Sequence, residues 1–404
     1  MGSNRAISFI LITLVIDAMG IGLIIPVMPD LIRQVTGGDL GQAAIWGGVL
    51  TTVFATMQFL FGPLIGSLSD AVGRRPVLLT SLAVLCADYL VMGFAGSIWL
   101  LILGRLVGGI TSATMSTCNA FIADISKPEE KAARFGLVGA AFGAGFVFGP
   151  ALGGLLAEWG TRAPFFASAA LAFANLCFGY FVLPETVTDK TRRAFQWRRA
   201  NFLGALQQLR KLPGIGRLLL ITMIYEFAFI VYPATWAYFT QERFGWSPGL
   251  VGLSLMLFGI SLVVVQAGLI RVILRRLGER GTVIYGILFN LSAFVILALL
   301  TNPYLALVFT PLTSLGAVVT PALQGMMSRA VADDAQGELQ GVIASVKSLA
   351  QMSAPLILTQ VFFLFTRPEG VIYLPGAAFA LSALLMVACG VLFVAKPRVT
   401  SARR

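Results

Sequence analysis

Residues 62–79 read GPLIGSLSDAVGRRPVLL, and in them Asp70, Arg74 and Arg75 share six positions between two long runs that carry almost no charge. The composition explains why charge is so rare on either side. Hydrophobic residues make up 57% of the 404 and charged residues 12%, with a mean hydropathy of +0.87, against roughly 25% charged in soluble domains. The apolar residues fall in blocks of about 20, the length that crosses a hydrocarbon core of roughly 30 Å as a helix. Lipid offers backbone groups no water partners, so such blocks must be helical. A transmembrane barrel would show short alternating segments instead, and none occur.

Working outward from residues 62–79, twelve blocks can be counted: 6–27, 46–66, 76–96, 98–119, 135–157, 163–183, 217–240, 249–270, 281–301, 303–326, 340–363 and 371–394. The first is too long for the apolar region of a signal peptide and lacks a small-residue cleavage site. The expected fold is therefore an all-α membrane protein with twelve transmembrane helices. An even count puts both termini on one side. Of 29 Lys and Arg, 24 are assigned to that side: Arg5, the gaps around 67–75, 120–134, 184–216, 271–280 and 327–339, Arg217, Lys347 and the tail. The opposite gaps hold only Arg33, Arg162, Arg243 and Arg367, and Arg105 lies inside a block. The basic side is cytoplasmic, so both termini are expected there. The net charge of +11 then reports topology and attraction to anionic lipid. Spread over short loops, it does not point to nucleic acid.

The four Cys residues (Cys86, Cys118, Cys177, Cys389) sit inside blocks without metal or disulfide spacing, and there is no His. The commonest general base and metal ligand is thus missing, and proton handling falls to carboxylates. No metal site and no cofactor are expected. An enzyme would need a nucleophile–base or metal constellation, and a receptor a sizeable output domain; neither is legible.

The longest gap, 184–216, holds eight Lys and Arg once Arg217 is included, with Pro184 and Pro213. It divides the chain into 1–183, a cytoplasmic linker at 184–216, and 217–404, with six blocks on each side. The halves echo one another: GSLSDAVGRRPVLL joins blocks two and three, and RVILRRLGERGTVI (271–284) joins blocks eight and nine. Many secondary transporters are doubled bundles of this kind, with the site between the halves near the midplane.

Within residues 62–79, Gly73 permits a tight turn and Pro76 falls where a helix start needs no N–H. Asp70 can face the positive end of a neighbouring helix. Arg74 and Arg75 can pair with an acid from another loop, with Asp124 as the candidate. This Gly, Asp, Gly, Arg spacing resembles the cytoplasmic signature of the major facilitator superfamily, although Ala71 stands where that family usually has a basic residue. The resemblance implies a cytoplasmic latch that holds the halves closed on the inside and breaks when the transporter turns inward. GAGFVFGPALGG (143–154) resembles the family's antiporter motif, with Gly145, Gly149, Pro150, Gly153 and Gly154. Its small residues let helices approach closely, and Pro150 bends its helix. LILGRLVGGITSA (101–113) resembles the proton-transfer motif and carries Arg105. Together with LVIDAMGIGLIIPVMPDL (14–31), CADYLVMGF, FIADI and PALQGMMSR (321–329), these stretches resemble the tetracycline-resistance type of proton-coupled exporter nearly end to end. The resemblance implies two six-helix bundles, a small-molecule substrate exchanged for protons by alternating access, a proton gradient in place of any cofactor, and a monomer.

Ionisable groups at bilayer depth cost at least about 2.5–3.5 kcal/mol and are functional by default. Asp17, Asp88, Arg105 and Glu226 qualify, and at ~1.5 Å per residue all four fall in one central slab. Burial pushes a carboxylate toward its neutral form and a nearby cation pushes it back, so a carboxylate between the two can alternate. Asp17 is the expected proton carrier, Glu226 its counterpart in the second half, and Arg105 a tuning group or a holder of an anionic substrate group. Gln58, Asn119, Asn290, Gln324 and Gln351 can line the cavity or bind between helices. Tyr225, Tyr232 and Trp236 share a face of block seven and could stack a flat ligand; Trp236 could equally anchor at the interface. The tetracycline exporters place an acid where this chain has Asn290, which speaks against tetracycline and its metal chelate as substrate. The expected function is a drug or metabolite:proton antiporter, with uptake of a small organic anion by proton symport as the alternative.

Overall fold

The structure, a computed structural model, describes residues 3–112, 114–187, 192, 214–332, 335–370 and 372–395, and all regular structure among them is helical. The membrane-crossing helices are α1 (Ala6–Thr36), α2 (Leu40–Val72), α3 (Arg74–Phe94), α4 (Ile98–Ile125), α5 (Ala133–Trp159), α6 (Ala163–Val182) and α7 (Gly216–Phe244), then a continuous stretch Pro248–Leu299, then α10 (Pro303–Arg329), α11 (Gln336–Thr366) and α12 (Ala377–Val394). The stretch of 52 residues is too long for one crossing, since at 1.5 Å per residue it would reach ~78 Å. It turns at Gly278, whose φ of 64° suits glycine, and so supplies α8 (248–277) and α9 (279–299). Twelve crossings result. The linker expected at 184–216 lies largely outside the described residues.

Short side chains start the helices where the sequence leaves the membrane. Asp39 accepts from the Gln42 N–H at 2.7 Å before α2, and Asn302 from Tyr304 N–H at 2.9 Å before α10, each satisfying amides that a helix start leaves open. Gly37 and Gly245 end α1 and α7 in the left-handed conformation, as helix C-caps commonly do.

The first and fourth helix of each half are interrupted: α1 by a 3-10 turn at Ile25–Val27, α4 at Ser112, α7 at Ile230, and α10 by a 3-10 turn at Ser314–Gly316. The same ordinal positions break in both halves, as expected of a duplicated transporter bundle whose site lies at broken helices.

The halves meet along two seams. The start of α2 lies against the end of α11: Gly48 abuts Thr359, Gly41 abuts Phe363, and the Thr52 hydroxyl donates to the Met352 carbonyl at 3.0 Å. The end of α5 lies against the start of α8, with Gly154 against Pro248 and Gly252 against Pro150. All these contacts sit away from the end of the bundle that carries the basic loops. Toward the basic end, Gly62, Gly66, Gly136, Gly139, Gly143 and Gly268 have open space beside them. The halves are clasped at one end and parted at the other.

One assignment from the sequence is corrected. Lys347, counted above with the basic loops, lies eleven residues into α11, ~16 Å from its start at 1.5 Å per residue. Its run, GVIASVKSLAQ, continues the helix that begins at Gln336, before the first strongly apolar residues.

Candidate transport site

α1, α2, α3, α4 and α5 enclose a cavity of about 250 Å³ inside the first half. Asp17 and Arg105 both line it, with Phe54, Gln58, Tyr89 and the hydroxyl residues Thr111, Ser112 and Thr114. These last three flank the break in α4, where Gln58 donates to the Ser112 carbonyl at 3.4 Å. The break therefore turns backbone polarity toward the cavity. Asp17 has no ion-pair or hydrogen-bond partner among the described residues.

Arg105 is held from three sides. It forms an ion pair with Asp88, its guanidinium carbon stands 5.2 Å from the centre of the Phe54 ring, and it contacts the Met92 sulfur. Asp88 is buried and reaches Arg105 across a glycine face of α4: a methyl group at Gly104 would lie 2.6 Å from Asp88 Oδ1, and one at Gly108 would lie 2.7 Å from Oδ2. Asp88 does not line the cavity that Asp17 lines. Its contacts make it the anchor of Arg105.

Glu226 belongs to a different group. Its carboxylate lies 3.4 Å from the Lys347 ammonium and accepts from the Thr320 hydroxyl at 3.0 Å, all within the second half. The structure thus divides the four membrane-depth charges expected from the sequence into an Asp17–Arg105–Asp88 set and a Glu226 set, and adds Lys347 to the second.

The expected lining residues separate likewise. Gln58 faces the cavity. Asn119 and Gln324 are half-buried and Gln351 is exposed. Asn290 is fully buried and donates to Tyr225 Oη at 3.1 Å and to the Gly316 carbonyl at 2.9 Å, where the 3-10 turn of α10 leaves that carbonyl free. Its amide ties α9 to α7 and α10. Tyr225 also points at Gly316, at 3.3 Å. Trp236 is buried, donates to Ser254 at 2.9 Å and packs edge-on against Phe379 and Trp246. Tyr232 lies among Phe229, Phe258 and Phe294. These aromatic residues form the packed core of the second half, because bulky rings are the natural filling where several helices converge. Tyr89, missed in the sequence, lies beside Asp88 in CADYL and so shares its helix but not its face.

At the basic end, Gly73 has φ 129°, and the turn brings Asp70 within 2.5 Å of Arg74, which reaches Asp124 at 3.2 Å and Ser69 at 2.6 Å. The amides that open α3 are taken by Glu185, which accepts from Arg74 N–H at 2.9 Å and Arg75 N–H at 3.2 Å. Glu185, not Asp70, is therefore the acid at that helix start. The second half repeats the device with the signs exchanged: Glu279, after Gly278, pairs with Arg329 at the end of α10. Every described contact of Asp70, Arg74, Arg75 and Asp124 stays within the first half and the start of the linker that follows it.

The span-5 glycines form a register. Gly145, Gly149 and Gly153 face the carbonyls of Val15, Met19 and Leu23 in α1, while Pro150 and Gly154 meet α8. α5 is thus wedged backbone to backbone between the two halves, next to the helix that carries Asp17.

Residues 10–355 match the Major Facilitator Superfamily. The chain is 39% identical to the tetracycline resistance protein, class C, of Escherichia coli over 95% of its own length and 96% of that protein's. It is 37% identical to the class G protein of Vibrio anguillarum over 90% and 91%. The crystal structure of the human organic anion transporter MFSD10 superposes with a TM-score of 0.70 at 25% identity, covering 97% of this chain and all of that one. Matched length, identity and fold agree with the clasped double bundle: the chain belongs to the Major Facilitator Superfamily, whose members are membrane transporters and not enzymes.

Proposed function

We propose that this protein is a proton-driven exporter of drug-like organic molecules that works by alternating access between its halves. The relatives named for tetracycline resistance support this class of cargo, and the span-5 glycine register is the form expected of an exporter. The observation that carries the reading is Asp17: an acid with no ion-pair or hydrogen-bond partner among the described residues, at membrane depth, lining the same cavity as an anchored Arg105. An unpaired carboxylate there is costly as a charge and cheap as an acid, so proton occupancy and substrate occupancy can exclude one another. Arg105, fixed by Asp88, orients the cargo and disfavours a second proton.

Lys and Arg bias places the basic end in the cytoplasm, in the inner membrane of a bacterium, so the parted halves open inward. The acting unit is a single chain needing only a proton gradient. Among substrates, Asn290 favours molecules that do not require a second acid in α9, and tetracycline is the compound that tests this.

Purified protein in liposomes with an imposed pH gradient checks the proposal, using tetracyclines and amphipathic drugs as cargo. Cargo moving against the proton flow is expected; cargo moving with it would make the protein an uptake symporter. Asp17→Asn should abolish the response to the gradient while leaving the protein monodisperse. A full response in that variant removes Asp17 as the carrier.

A further inference from the structure

The Glu226–Lys347 pair has no role in the cavity around Asp17. Glu226 lies ten residues into α7 and Lys347 eleven into α11, while Thr320 lies nine residues before the end of α10. At 1.5 Å per residue, all three sit ~14–16 Å from the basic end of their helices. Three helices thus bring an acid, a base and a hydroxyl to one level of the membrane. An ammonium at that depth is expensive and marks function. The pair is also open: side-chain exposure is 21% for Glu226 and 32% for Lys347, and the gap is 3.4 Å. The Asp88–Arg105 pair is less exposed, at 0% and 13%.

The two partners are held differently. Thr320 donates to the Glu226 carboxylate at 3.0 Å, giving it a partner besides Lys347. Lys347 has Glu226 as its one ion-pair partner among the described residues. On the other helices packed against α11, the titratable side chains of α7 and α12 in that part of the bundle are Tyr225 and Cys389, both buried, and α2 brings no charge near it. The carboxylate is thus the fixed receptor and the ammonium the removable occupant.

Coupling then selects the charge of the cargo. An anionic cargo would take Lys347 and leave Glu226 to gain a proton, so proton and cargo would bind together. A cationic cargo takes Glu226 and evicts Lys347. The evicted group is the costly form at this depth and the neutral amine is not, so R–NH3+ becomes R–NH2 and the proton passes to water at the open end. Only the second case exchanges proton for cargo. Resting on the antiport reading above, we infer that Glu226 and Lys347 form a second coupling site, which binds the cationic group of an amphipathic cargo in exchange for one proton from Lys347.

The test uses tetraphenylphosphonium, a permanent lipophilic cation, and calorimetry on the full-length protein in buffers of different ionisation enthalpy, which counts protons released on binding. Wild type should bind and release protons. Asp17→Asn should still release about one per cation bound, and Asp17→Asn with Lys347→Met should bind at least as tightly and release none. Lys347→Arg, whose guanidinium stays charged, should bind at least tenfold more weakly, also without release. Glu226→Gln should lose binding by at least tenfold. The inference is overturned if Lys347→Met weakens binding tenfold, if the double variant releases as many protons as Asp17→Asn alone, or if wild type does not take the probe. If wild type still exports another drug against the proton flow in that last case, the exporter reading stands and this inference alone falls. Lys347→Gln, which keeps a polar side chain, serves if Lys347→Met does not fold.

Discussion

At the scale of single residues, Asp88 and Arg105 show how an intramembrane charge is made tolerable. The carboxylate is wrapped by the glycine face of α4 and the guanidinium lies against Phe54. Removing one member leaves the other charge buried alone, which costs about 3–5 kcal/mol, whereas replacing both by apolar groups of similar volume is often neutral. Arg105→Ala should therefore lower the melting temperature in detergent and abolish transport together. Asp88→Leu with Arg105→Met should recover the melting temperature and not the transport. If stability and transport return together, Arg105 serves only to balance Asp88. Asp17 behaves differently because among the described residues it has no such partner to lose: Asp17→Asn should change coupling with little change in stability.

At the scale of elements, α5 is defined by what its glycines omit. A methyl group at Gly149 would stand 2.6 Å from the Met19 carbonyl, and the neighbour is backbone, which cannot swing aside. Overfilling a packed contact of this kind costs about 1–3 kcal/mol. Gly149→Val should push α1 off α5, lower the melting temperature and reduce turnover. Gly143→Ala, which faces open space in the same helix, should do neither. The turn between α2 and α3 depends on glycine for a different reason: Gly73 adopts φ 129° and ψ 151°, backbone that is essentially glycine-only and costs about 1–3 kcal/mol otherwise. Gly73→Ala would also crowd Glu185, releasing the amides at the start of α3.

At the scale of the whole molecule, two clasps at one end and an opening at the other make a hinge. The Thr52 hydroxyl donates to the Met352 carbonyl across the halves at 3.0 Å, so a cysteine pair at these positions tests whether the clasp must open. In a background freed of its own cysteines, Thr52→Cys with Met352→Cys should cross-link on oxidation, stop transport and regain it on reduction. Full transport by the cross-linked protein would show that the clasp need not open. Among the described residues the cluster around Asp70 makes no contact with the second half in this arrangement, which is parted at the basic end, so its closing partner must be sought in the opposite state. Asp70→Asn should slow turnover several-fold with cargo affinity nearly unchanged; equal turnover would count against a latch.

By itself the sequence determined that this chain crosses a membrane twelve times in two related halves, because apolar length and the cost of bare backbone in lipid leave no other solution. It also singled out Asp17, Arg105 and the Gly73 turn, since a charge or a glycine stands out against such a background. It could not say which charges meet. Lys347 counts with the basic side because it lies near the start of its apolar block, and the helix, which begins before that block at Gln336, carries it to the depth of Glu226. Asn290, Trp236 and Tyr232 read as lining because polar and aromatic residues suit a cavity and a core alike; the packing of α7, α9 and α10 decided for the core. One central site became two sets of charges because partnership in a membrane depends on which helices are neighbours, and neighbours far apart in the chain are chosen by tertiary packing alone.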